Sequence, residues 1–176
     1  MGEWSRKLLP LLSLVLIVLL SVSTVAETSA TARVEIGWKV SPYQSLTIAG
    51  ITSAGTAGRF ELRQPTEADL SMGYIEVPGA VTLVAESNIA WSVKVHAVES
   101  TMGHSADGTS IKPLSDLLLR GNGGRYVPIS TMDQTLASGG FGVTSLIVDY
   151  KILTNRESYR PGDYALTLVY TITTQD

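Results

Sequence analysis

Apolar and polar side chains alternate along most of the chain. Val34, Ile36, Trp38 and Val40 fall on one side of an extended backbone, with Arg33, Glu35 and Lys39 on the other, the two-residue period of a strand with one buried face. The same period runs through Trp91, Val93, Val95 and Ala97 against Ser92, Lys94 and His96, and again through Tyr164, Leu166, Leu168, Tyr170 and Ile172. Further strands are predicted over Ser45–Ile51, Gly58–Arg63, Ala80–Glu86 and Gly142–Leu153, with a shorter one around Tyr126. Turn-forming clusters separate them: Pro78-Gly79, Gly121-Asn122-Gly123-Gly124, Ser138-Gly139-Gly140 and Arg160-Pro161-Gly162-Asp163.

Helical signals are sparse. Pro65–Ser71 predicts one or two turns, opened by Pro65 and Thr66 and stopped by Gly73, and Ser130–Ala137 predicts another. Lys112–Arg120 is ambiguous, because Leu117-Leu118-Leu119 suits a buried strand or a short helix equally. Strict alternation on one face requires a partner sheet. The fold class expected is therefore all-β, an immunoglobulin-like or jelly-roll β-sandwich of about eight strands with one or two short helical turns.

The chain opens differently. Arg6 and Lys7 precede an apolar run from Leu8 to Leu20, and Thr24-Val25-Ala26 then offers small residues where a signal peptidase reads. Residues 1–26 are expected to be a signal peptide, with an alternative end at 32; an uncleaved anchor would need a longer apolar core. The remainder divides into an N-terminal extended segment, 27–40, and a sandwich domain, 41–176. This places the protein outside the cell or on its surface, with membrane contact only during export.

Composition narrows the function classes. The 13 basic and 16 acidic residues give −3 overall; without Glu3, Arg6 and Lys7 the balance is 11 against 15, which gives no attraction to nucleic acid. No cysteine is present, so disulfides, thiol catalysis and thiolate metal sites are excluded. His104, Ser105 and Asp107 supply the residue types of a triad, but neighbours in one glycine-rich turn do not form a cleft with an oriented base. Asp107-Gly108 reads instead as a tight turn. No calcium loop or phosphate loop occurs, and no enzyme activity, metal or cofactor is expected.

The segments "ESNIAWSVKVHAV" (86–98) and "RPGDYALTLVYTITTQD" (160–176) resemble strands of exported prokaryotic immunoglobulin-like surface domains, notably pilus or fimbrial and spore-coat-type subunits. The second segment opens on Pro161-Gly162, suited to the centre of a type II turn. The cysteine pair of many fimbrial subunits is missing. The resemblance implies a structural subunit of a surface filament or coat, partnered by copies of itself or related subunits through a donated N-terminal strand. Donation requires apolar residues at every second position of an extended segment, and Val34, Ile36, Trp38 and Val40 are the candidate interaction residues. The same alternation equally describes the first strand of the protein's own sandwich. The other function class is a carbohydrate-binding or adhesive module, for which Tyr43, Tyr74, Tyr126 and Tyr159 are candidate platform rings.

Overall fold

The alternating runs become strands because each has one apolar face to bury. A computed structural model describes residues 31–52, 59–154 and 160–175; the signal-peptide reading of 1–26 and the ring of Tyr159 lie outside them. The chain divides into two units, Met1–Lys39 and Val40–Asp176. Within the first, residues 31–39 form neither helix nor strand, and all are exposed. The half-buried strand expected over Arg33–Val40 is thus not a strand of the protein's own sheets.

The second unit is an antiparallel, all-β sandwich. Strands β1 (Gln44–Ile51), β2 (Tyr74–Ser87), β9 (Gly142–Leu153), β6 (Leu117–Gly121) and β7 (Val127–Pro128) make one sheet in the order β1-β2-β9-β6-β7. The second sheet has the order β10-β3-β8, from Leu168–Thr174, Trp91–Ala97 and Gln134–Gly139. A small ladder pairs β4 (Thr101–His104) with β5 (Ile111–Pro113). No helix among the described residues is long and apolar enough to cross a membrane.

Register decides what is buried. Leu83, Leu146, Val148 and Leu119 of the first sheet meet Trp91, Val93 and Val95 of the second, all in one core cluster. Tyr150 joins the two sheets through its hydroxyl, 2.8 Å from that of Tyr170. Burial pushes both phenols upward. A bulge at Val77–Val81 carries Pro78-Gly79, where Gly79 has φ 60°. Asp149 holds the bulge by accepting from the Gly79 N–H at 2.7 Å while its other oxygen takes Arg120 Nε at 2.6 Å.

Helix α1 (Glu67–Met72) starts after Thr66, whose hydroxyl accepts from the Asp69 N–H while the Asp69 carboxylate accepts from the Thr66 N–H, and it ends at Gly73 with φ 80°. This reciprocal cap opens the helix where the sequence places its start, at Thr66. Arg63 grips the same carboxylate through both terminal nitrogens, at 2.5 and 2.9 Å, which holds Asp69 far below the usual carboxylate range. The strand expected over Gly58–Arg63 is not formed at residues 59–63, which run as irregular chain into that cap. Lys112–Arg120 divides into the end of β5, a 3-10 turn at Leu114–Asp116 and β6.

Two further expectations are corrected. Ser130–Ala137 does not make a helical turn, because β8 pairs from Gln134 with β3 and the Gln134 amide ties down the preceding bend through Pro128 O and Ser130 N; ladder bonds and apolar packing override weak helical propensity. Pro161-Gly162 is not a type II turn, since Gly162 is absent from the positive-φ residues. Glycine is needed there for close approach: a Cβ would stand 2.9 Å from His104 O and 3.0 Å from Ser105 Cα. Two residues beyond Tyr164, Leu166 packs against the core, yet β10 begins only at Leu168.

Candidate assembly site

The sandwich is laced together along one side, and along the other its two edge strands lie side by side without hydrogen-bonding to each other. On the laced side, Ile129 N donates to Leu117 O of the first sheet at 2.9 Å, and Ala97 N of the second donates to Ser130 O at 2.9 Å. One stretch of chain therefore laces both sheets together. Gly121 sits so near β8 that a Cβ would meet Leu136 O at 2.9 Å.

On the opposite side the edge strands are β1 and β10, which run near each other, one from each sheet. Residues directly opposite in an antiparallel pair share a face. Leu46 pairs with Ala85 and Ile48 with Leu83, and Ala85 and Leu83 are fully buried, so Leu46 and Ile48 point to the core side. Ile48 is nevertheless 52% exposed. Across the seam, Leu168, Tyr170 and Ile172 pair with Ala97, Val95 and Val93. Their partners are buried, while the β10 residues are only partly covered. Phe60, itself partly buried, packs edge-on against Tyr150 at 5.1 Å between ring centres.

Both edges, β1 (QSLTIAGI) and β10 (LVYTITT), are also free of charge and proline, devices by which exposed edges commonly discourage pairing, although β1 carries a bulge between Ile48 and Gly50. The β7 edge, by contrast, carries Pro128. At the start of β1, the Gln44 side-chain Nε2 is buried without a hydrogen-bond partner among the described residues.

The four residues singled out by alternation are uncovered: Val34, Ile36, Trp38 and Val40 are 80, 81, 83 and 68% exposed. Alternation singles out these four residues but not β1 and β10, because Ile48 and Ile172 read as ordinary core positions until strand order is known.

The candidate sugar platform fares differently. Tyr74 and Tyr126 do share a surface, on the outer face of the first sheet, but the Lys151 ammonium lies 4.4 Å from the centre of each ring. Arg120 lies 4.4 Å from Tyr126 as well, and the Tyr126 hydroxyl donates to Glu76 at 2.7 Å. These rings serve an internal charge cluster, in which the Tyr126 hydrogen bond is the foremost influence holding Glu76 below its ordinary value. Tyr43 stands apart, half exposed, beside the start of β1.

The glycine-rich turn is bonded within itself and to the 160–162 stretch, through Ala106 N to Pro161 O at 2.8 Å and Arg160 at 3.6 Å from Asp107. Asp107 accepts from Ser105 Oγ at 2.5 Å and from Thr109 N and Oγ1 at 3.1 and 2.9 Å, which lowers its carboxyl to about 2. His96, read as a solvent-facing strand residue, is partly exposed and places Nδ1 2.7 Å from Asp133. No cluster of three or more potential metal ligands occurs among the described residues.

Asp107 gives a pH dependence with a definite sign. Its folded value is depressed below the ordinary 3.8, so its stabilising contribution is complete above about pH 4 and disappears as the pH falls through about 2. The thermal midpoint is expected to drop between these limits by less in Asp107→Asn than in the wild type, as followed by circular dichroism; equal drops would contradict it.

No family model and no curated protein matches this chain. Among solved structures, one chain from a study of a chaperone-usher pilus and its rod aligns with 85% of this chain and 100% of its own length. The identity is 13% and the TM-score 0.39, a likeness too loose to carry any argument about role.

Proposed function

We propose that this chain is a non-catalytic structural subunit of a cell-surface filament or coat. In this reading it joins to further copies when the segment holding Val34, Ile36, Trp38 and Val40 of one enters the seam between β1 and β10 of the next as an added strand. The observation that supports it most directly is Ile48, which faces the core side of its sheet yet remains half exposed beside two charge-free edges. Strand addition supplies what such a seam lacks: main-chain partners for a bare edge and alternate side chains for the uncovered interior. Each apolar side chain fully buried in the joint contributes roughly 1.5–3 kcal/mol. Arg33, Glu35 and Lys39 occupy the alternate positions and stay toward water.

The test is association of the protein purified from the cells that make it. Sedimentation velocity of the wild type is expected to show oligomers that grow with concentration. The Ile36→Asp/Trp38→Asp variant is expected to remain monomeric with an unchanged thermal midpoint, since both side chains lie in solvent before assembly. A wild type that stays monomeric throughout, or a variant that associates equally well, would overturn the proposal.

A further inference from the structure

The joint just described has a second half. Register aligns Gln44, Ser87 and Gly142 across three neighbouring strands of the first sheet. The residues immediately beyond them, Tyr43, Asn88 and Phe141, therefore come together at one end of the sandwich. Phe141 is 85% exposed. It lies in the glycine-rich crossing from β8 to β9, between Gly140 and Gly142, the latter at φ 112°. Its ring is an exposed apolar surface outside the core cluster of the described residues.

Asn88 fixes the chain entering this end. Its Oδ1 accepts from Tyr43 N at 2.7 Å, its Nδ2 donates to Ser41 O at 2.9 Å, and its own N–H donates to Tyr43 O at 3.2 Å. The backbone from Ser41 to Tyr43 is thus held against the domain rather than hanging as a loose linker.

We infer that the end formed by Tyr43, Asn88 and Phe141 is a contact surface for a second copy of this chain, the one that receives the N-terminal segment. This rests on the strand-addition reading. Val40 is the last apolar residue of the segment, and the four Cα steps from it to Gln44 span at most about 14 Å. Phe141 adjoins the strand two places from β1, about 10 Å away at ordinary strand spacing. A copy that seats Val40 in its seam is therefore brought against this end. Asn88 sets the point of departure, and Phe141 supplies the apolar contact.

Sedimentation of three variants of the protein from its native cells separates the two ideas. Phe141→Ser is expected to weaken association tenfold or more with no change in thermal midpoint. Phe141→Leu, which keeps an apolar side chain, should retain most of it. Asn88→Ala should weaken association in the same direction as Phe141→Ser by releasing the departure point. If Phe141→Ser and Asn88→Ala associate like the wild type while Ile36→Asp/Trp38→Asp does not, the second contact is refuted and strand addition stands. If Ile36→Asp/Trp38→Asp also associates normally, both fail.

Discussion

Trp91→Ala is expected to lower the free energy of unfolding by about 3–5 kcal/mol, the usual range for truncating a large buried aromatic. Trp91 is 1% exposed at the start of the central strand of the second sheet. The packing around it is tight. A Cβ added to Gly139 would stand 2.4 Å from Cζ2 of the indole, so β8 passes directly beneath the ring and cannot collapse far into the space left by alanine. The loss arises from apolar contact rather than hydrogen bonding, because the indole Nε1 has no partner among the described residues. Trp91→Phe should accordingly be far milder than Trp91→Ala. Gly139→Ala, which crowds the same site from the other side, should cost about 1–3 kcal/mol. Urea unfolding of the three variants checks the order; a Trp91→Ala midpoint equal to that of the wild type would contradict the packing argument.

Lys112→Met is expected to destabilise by about 3–5 kcal/mol through a different mechanism, a carboxylate left buried without its counter-charge. Lys112 and Asp116 are 4% and 7% exposed, with Nζ 2.7 Å from Oδ2. The same ammonium donates to Leu153 O at 2.9 Å, tying the 3-10 turn to the end of β9. Because desolvation offsets much of the attraction in such a pair, replacing both partners should recover most of the loss. Lys112→Met/Asp116→Leu is therefore expected to unfold at a urea midpoint well above that of the single variant. A single variant as stable as the wild type would show that Asp116 finds another partner or reaches water.

Alternation marks a strand only where a neighbouring strand pairs with it: Arg33–Val40 alternates as regularly as Trp91–Ala97 yet forms no strand, and the run from Tyr164 is strand only from Leu168. Trp91–Ala97 and Gly142–Leu153 form at the predicted bounds, and α1 follows from Thr66 and Gly73. Ser130–Ala137 was misread because its mixed composition is decided by a distant partner, β3, rather than by local preference. Gly162 was misread for a similar reason: the demand on it comes from the turn at His104–Ala106, nearly sixty positions away. The exposed apolar segment could be named from alternation alone. The seam could not, since being an edge is a property of strand order, and Leu46 and Ile48 carry no local mark of it.

The long reach of the β10–β3 ladder has a consequence for how the molecule forms. Leu168 meets Ala97 and Thr174 meets Trp91, so the pairs are separated by roughly seventy to eighty residues, the kind of non-local contact that slows folding. Until that ladder closes, one flank of the central strand bearing Trp91, Val93 and Val95 has no neighbour, however well the hairpins elsewhere are made. A chain in which that ladder is still open presents an apolar strand with a free flank, and refolding yield is therefore expected to fall as protein concentration rises.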